Sequence, residues 1–312
     1  MHAGGTSIAV SASGGRPTLP RRILDGPAPW LAPAIAMIGL FYLVPILDAL
    51  RLAFTDASLL GGEVSYSLAA LRGVFADPAL AIVLRNTFVF ATSAVIGQVV
   101  LGLSIALLVT RGERHRLRGM LTLRTIVLAA WVVPGIANGL IWQMLFSEAP
   151  FGAINSALRL VGLAPVAWLS NPSMAMVSAI VTTIWQGTAF AMIVLYAARR
   201  GIDPALYEAA AVDGASPLSA FFNITLPQMR AALLVTAILV TIQMVNAFDA
   251  VLALTGGGPG RATEVLALFT YRTVFANHDL ARGAVLAILL LGISLVFALV
   301  YSLFLPHREE AA

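Results

Sequence analysis

The chain has 312 residues, 59% hydrophobic and only 11% charged, with a mean hydropathy of +0.90; soluble domains carry about 25% charged residues. That balance excludes an ordinary water-soluble enzyme, and high apolar content, aperiodic glycines and the absence of cysteine exclude disordered, collagenous and disulfide-stapled chains, thiol nucleophiles and cysteine metal sites. The formal net charge is only +4 and all 19 basic residues are arginine, set in short loops, which points to a topological role rather than nucleic-acid binding.

A spanning helix needs roughly 20 mostly apolar residues. Six segments meet that requirement: 30–50, 88–109, 121–146, 174–198, 231–254 and 283–305. The stretch before them, 1–29, is rich in Gly, Ser and Pro and is predicted to be a flexible cytoplasmic tail. The first apolar segment exceeds a typical signal-peptide core and lacks a small-residue cleavage site before a polar chain, so it is expected to remain as a span. A spanning domain over 30–305 and a short tail over 306–312 complete the expected organisation.

Orientation follows from arginine placement, because cytoplasmic flanks retain positive charge. With the amino terminus inside, Arg51, Arg72, Arg85, Arg159, Arg261, Arg272 and Arg282 face outward and the other twelve face inward. The densest inner group, Arg111, Arg114, Arg116 and Arg118, fills one short loop. Both termini are therefore predicted to be cytoplasmic. At the outer end of the first span, Asp48 and Arg51 are spaced for a local ion pair.

The inner stretch 199–230 is too long for a tight hairpin and too apolar for disorder. Asp203-Pro204 supplies an N-cap followed by proline at the first helical position, good helix formers follow, and Gly214 suits the left-handed position after a helix end. Ser216-Pro217 repeats the start signal, predicting a second short helix from Leu218 to Ile224 that stops near Leu226-Pro227. Neither helix is long enough to cross a bilayer. The small side chains of the first and the apolar Leu218, Phe221 and Phe222 of the second fit a docking surface for a cytoplasmic partner; an interfacial hairpin packed on its own bundle is the plainer alternative.

Glu208-Ala209-Ala210, three intervening residues, Gly214, nine more, then Ile224-x-Leu226-Pro227 resembles the EAA motif of permease subunits in binding-protein-dependent ABC importers. After the fifth span, Leu254-Thr255-Gly256-Gly257-Gly258-Pro259, Thr263-Glu264 and Tyr271-Arg272-Thr273-x-Phe275 form a second signature, similar to the carbohydrate-importing branch and its maltose transporters. The resemblance covers nearly the whole span region. It implies an all-α integral membrane protein with the six-span type I importer permease fold, in the bacterial cytoplasmic membrane. Glu208, Ala209, Ala210, Asp213, Gly214, Ala215, Phe222, Leu226 and Pro227 would couple it to an ATPase.

The implied partners are a second permease subunit, most simply as a heterodimer, two ATPase subunits, an extracytoplasmic solute-binding protein and membrane lipid, with no nucleic acid. The chain has no GxxxxGK[ST] loop, so it is expected to bind no cofactor and to catalyse nothing, with ATP and magnesium held by the partner ATPases. The resemblance to maltose-transporter permeases implies that Trp131, Gln186, Gly187, Phe190, Val240 and Met244 line the sugar path, with Gln243 adjacent. Asn138, Gln143, Thr188, Asn246 and Asp249 are the remaining intramembrane polar groups, costly in hydrocarbon and so expected to face a partner or a wet path. Each has a plainer alternative: packing for Trp131, Phe190 and Val240, a helix-to-helix tie for Gln186, a cap for Asn246 and Asp249. No arginine lies mid-span, which favours a neutral sugar of di- or oligosaccharide size, with polyols or glycerol phosphate diesters as the alternative cargo; an intramembrane enzyme would need a base beside Asp249, and none is adjacent in sequence.

Overall fold

A computed structural model describes residues 28–304; the predicted tails, Arg16, Arg21, Arg22 and Arg308, and the last residue of the sixth predicted span lie outside them. The described residues form helices joined by loops, with isolated β-bridges at Thr55–Tyr66 and Ser58–Asp279. Two compact units are resolved, one ending at Arg51 and the other beginning at Leu52.

In the first unit, Ala28–Ile38 (α1) passes through a π turn, Gly39–Leu43, into Val44–Ala53 (α2). Asp48 and Arg51 make the expected ion pair at 2.9 Å. The π turn has a local cause. Pro45 has no N–H for the carbonyl four residues back and its ring would clash there, and the Val44 amide bonds five residues back to Gly39, a wider turn that relieves the crowding.

The second unit contains Ala69–Ala76 (α3), Pro78–Arg114 (α4), Met120–Val132 (α5), Gly135–Leu145 (α6), Ala153–Leu160 (α7) and Pro172–Arg200 (α8). It continues with Pro204–Val212 (α9), Pro217–Ala220 (α10), a π turn over Phe221–Thr225, Leu226–Val245 (α11), Asp249–Thr255 (α12), Leu266–Phe275 (α13) and Leu280–Ser302 (α14). Four of these helices start with the same device, a capping side chain before proline. Asp77 accepts from Ala79 N at 2.8 Å, Asn171 from Ser173 N at 3.0 Å, Asp203 from Ala205 N at 2.9 Å and Ser216 from Ser219 N at 3.2 Å. Each cap satisfies an amide that the first turn leaves without a partner, while proline occupies a position needing no donor.

Among the described residues five helices are long and apolar enough to cross a bilayer, and α5 with α6, a pair bent by 105°, counts as a sixth when taken as one broken span. The third predicted span is broken at Val133–Pro134, where Pro134-Gly135 in the sequence marks a helix break. The fifth is broken too, because Asn246 to Phe248 separate α11 from α12. The predicted second elbow helix does not stop at Leu226-Pro227: Pro217–Val245 runs on as one helix. Here the Leu226 amide reaches back to Phe221, so the π turn again absorbs the proline that follows it, as at Val44-Pro45.

The centre of the second unit is the α4–α8 contact, where small residues bring backbones together, as membrane helices require when hydrocarbon solvates their apolar faces equally well. A Cβ on Gly102 would lie 2.6 Å from Ala191 Cβ and 2.9 Å from Met192 N. Helix α11 packs on α4, α8 and α14, and α6 packs on α12. In the latter contact a Cβ on Gly139 would meet Ala253 Cβ at 2.6 Å. Side chains staple the connecting loops: Glu148 accepts from Ser170 N and Oγ and from Leu169 N, and Asp56 from Ser65 Oγ and N. Those hydrogen bonds hold both carboxyls below the usual carboxylate range, with Ser65 the main cause for Asp56 and Ser170 for Glu148.

Candidate coupling elbow and transport path

Helix α9 ends in a Schellman motif. The Ala215 amide donates to Ala210 O at 2.8 Å, that of Gly214 to Ala211 O at 3.1 Å, and Gly214 has φ +73°. This is the left-handed geometry that favours glycine. Ser216 then caps the next helix, so the bend anticipated around Gly214 is present.

Both limbs are anchored on one side. The Tyr207 hydroxyl meets Thr225 Oγ1 at 2.8 Å, and Tyr207 and Ile224 pack beside buried Ala106, Met192, Leu195, Ile202 and Met229. On the other side the elbow is bare: no residue of α9 or α10 is buried, Val212 is 88% exposed and Leu218 67%. Glu208, Ala209, Asp213, Gly214, Phe222 and Pro227 are exposed; Ala210, Ala215 and Leu226 are half-buried. Tyr207 was not singled out from sequence, although it is the one aromatic in an alanine-rich helix.

A second cluster forms at the break between α5 and α6. There Gln186 donates to Val133 O at 2.5 Å, while the Asn138 amide closes the first turn of α6 onto Pro134 O at 2.8 Å. The Gln186 amide oxygen accepts from Asn138 Nδ2 at 3.0 Å. Trp131 and Phe190 face each other with ring centroids 6.2 Å apart. Trp131, Gln186 and Phe190 are thus brought together, with Trp131 exposed and the other two half-buried.

The remaining path residues lie differently. Val240 and Met244 are buried in a core cluster against which Phe190 packs. Gly187 faces Gln98, whose amide oxygen would lie 2.2 Å from an added Cβ. Gln243 is exposed. Of the other polar groups, Gln143 donates to Leu254 O at 3.2 Å, Thr188 to Ile184 O at 2.6 Å and Asn246 to Ile242 O at 2.8 Å, while Asp249 opens α12.

Gln98 escaped the sequence reading, being one polar residue in a long apolar run. It is fully buried and donates to Thr183 O and Met244 Sδ, both at 3.2 Å. Its Oε1, like Asn138 Oδ1 and Thr182 Oγ1, has no hydrogen-bond partner. These groups border the same turn of α8, close to the middle of that helix.

The glycine-rich signature folds as a charged staple. Glu264 is 2% exposed and binds Arg272 at 3.0 Å, and Arg272 also donates to Gly256 O. Arg261 lies 3.3 Å from the second Glu264 oxygen. Asn86 of α4 donates to Arg261 O at 2.7 Å, and Thr255 and Thr263 hydroxyls meet at 2.7 Å.

Residues 98–309, about two thirds of the chain, match the model of a family described as binding-protein-dependent transport system inner membrane component. The chain belongs to that family. The match starts at Gln98 and takes in the elbow, the bent pair and the staple. This inner membrane component is 36% identical to the trehalose/maltose transport system permease protein of Thermococcus litoralis, over 69% of this chain and 72% of that one. It is 30% identical to the sulfoquinovosyl glycerol transport system permease protein of Agrobacterium fabrum, over 87% of each chain. A bacterial ABC transporter involved in importing the acidic polysaccharide alginate has the same fold, with a TM-score of 0.77 at 20% identity over 94% of this chain and 98% of that one. A permease of this family is a transport component of the membrane rather than a catalyst.

Proposed function

We propose that this permease forms half of the membrane pathway of an ATP-driven importer and carries a neutral sugar, of di- or oligosaccharide size, into a bacterial cytoplasm. The observation that carries the coupling part is the elbow itself: a hydrogen-bonded bend, anchored by Tyr207 and Thr225 and bare on its outer side over Glu208, Ala209, Val212 and Leu218. A partner that closes and opens around such a rigid, exposed element moves the helices to which it is attached. The roles of Ala210, Asp213, Gly214, Ala215, Phe222, Leu226 and Pro227 belong to the same reading. ATP and magnesium would be held by two ATPase partners, a second permease would complete the path, and a binding protein would deliver the solute outside.

Trp131, Gln186 and Phe190 supply the path's chemistry. Aromatic faces beside an uncharged amide hold a hydroxyl-rich solute without the tight grip of an ion pair. Gly187, Val240 and Met244 would reach solute only after the helices move, since each is packed here; Gln243 sits on an exposed face. The absence of an arginine from the Trp131–Gln186–Phe190 group supports a neutral cargo. Alternating access requires contacts that differ between the two states, and the unpartnered Gln98, Asn138 and Thr182 oxygens offer such a difference. Both termini would lie in the cytoplasm.

The test is solute-stimulated ATP hydrolysis in liposomes holding the complete transporter and its binding protein. Maltose-sized sugars are expected to stimulate it; polyols or glycerol phosphate diesters doing so instead would replace the sugar assignment.

A further inference from the structure

A cavity of about 660 Å3 lies behind the elbow, between the ends of α4 and α8 and the two elbow limbs. Its walls carry Arg111, Arg114, Arg199 and Arg200. Among the described residues none of these four forms an ion pair with a carboxylate. Glu113, the acid in the wall, is already engaged: Arg124 lies 3.3 Å from one oxygen and the Tyr196 hydroxyl donates to the other at 2.7 Å. Arg199 and Arg114 instead approach the same Tyr207 ring, with guanidinium carbons 4.4 and 5.4 Å from its centroid. Cation–π contact attracts each arginine but leaves their summed charge uncompensated.

We propose that this cavity binds the phosphate headgroup of an anionic membrane phospholipid. Guanidinium forks match phosphate oxygens, and basic pockets between spanning helices suit anionic headgroups. The source is a lipid rather than free phosphate because the same walls include Leu107, Ile202 and Phe221, and exposed Leu108 continues the apolar surface of α4 beside them. A headgroup here joins α4 and α8 to both elbow limbs, so anionic lipid would brace the elbow. The binding claim stands independently of which solute the permease carries.

The experiment is native mass spectrometry of the full chain in detergent, titrated with dioleoylphosphatidylglycerol, dioleoylphosphatidylcholine, glycerol 3-phosphate or inorganic phosphate. One phosphatidylglycerol adduct is expected to outlast the others, unaffected by an equal concentration of either soluble phosphate. Arg114→Gln/Arg199→Gln is expected to weaken it roughly 30-fold, at about fivefold per arginine. Arg111→Gln/Arg200→Gln, which leaves the closest Tyr207 contact intact, is expected to act in the same direction, and Arg118→Gln/Arg230→Gln, outside the cavity, to leave the adduct unchanged. Equal adduct retention by the wild type and both cavity variants overturns the proposal, as does displacement by soluble phosphate. Loss of ATPase association in the cavity variants with the lipid adduct untouched also overturns it, and assigns the cavity to a protein contact.

Discussion

Glu264 and Gln98 show two ways in which a buried polar side chain is tolerated. Glu264 is compensated by Arg272 and Arg261, which are 40% and 48% exposed. Glu264→Gln removes the charge they share and is expected to destabilise by about 1–3 kcal/mol, below the 3–5 of a fully buried pair because the arginines remain partly hydrated. A thermal melt in detergent measures it; an unchanged melting temperature would show that the staple contributes nothing. Gln98 is only half compensated, since its nitrogen has partners and its oxygen has none. Gln98→Met keeps the volume and removes the orphaned oxygen, so stability is expected to hold or rise slightly. If this amide serves transport, uptake falls while the melting temperature does not. A melting temperature lowered together with uptake would show that Gln98 is structural. Gln98 was not legible in the sequence because polarity at one position says nothing about which neighbour it meets; only the Gly187 approach gives it a place.

The elbow is a matter of elements rather than single contacts. Its first limb was legible because Asp203-Pro204 and Gly214 specify a start and a stop by local geometry alone. Its second limb departs from the local signal: Leu226-Pro227 reads as a stop, whereas one wider turn at Phe221–Thr225 lets the helix continue. Proline alone does not say whether a helix ends or widens by one residue, since the same accommodation occurs before Pro45 and Pro227. The bend between α5 and α6 lies between these cases: Pro134-Gly135 announces a break, but neither its 105° angle nor the contact of α6 with α12 is written locally. Gly214→Val puts a β-branched residue at φ +73°, where nothing crowds its Cβ but the backbone itself is unfavourable by about 1–2 kcal/mol or more. The cost falls on the bend alone. Membrane insertion and the overall melt are therefore expected to be retained while ATPase association and uptake fall; retention of both would remove the elbow from the coupling path.

At the scale of the molecule, hydropathy made the number and approximate places of the spans legible, because bilayer thickness acts on every span alike. The interior of the path was not legible: Trp131, Gln186 and Phe190 meet across a helix break, while Val240 and Met244, in equally apolar sequence, are packed away. Orientation has a clean assay because the chain contains no cysteine. Single cysteines at Ser216 and Gly260 are expected to react with a membrane-impermeant maleimide on opposite sides, Gly260→Cys in intact spheroplasts and Ser216→Cys only after permeabilisation. The reverse pattern would invert the topology. The central claim, that an ATPase grips the elbow, is tested most directly by a photo-cross-linking residue at Val212, 88% exposed, against a control at Val161, 70% exposed in the loop after α7. The account predicts a cross-link from Val212 to the ATPase subunit and none from Val161. No cross-link from Val212 with or without ATP, while the complex remains assembled, would contradict it.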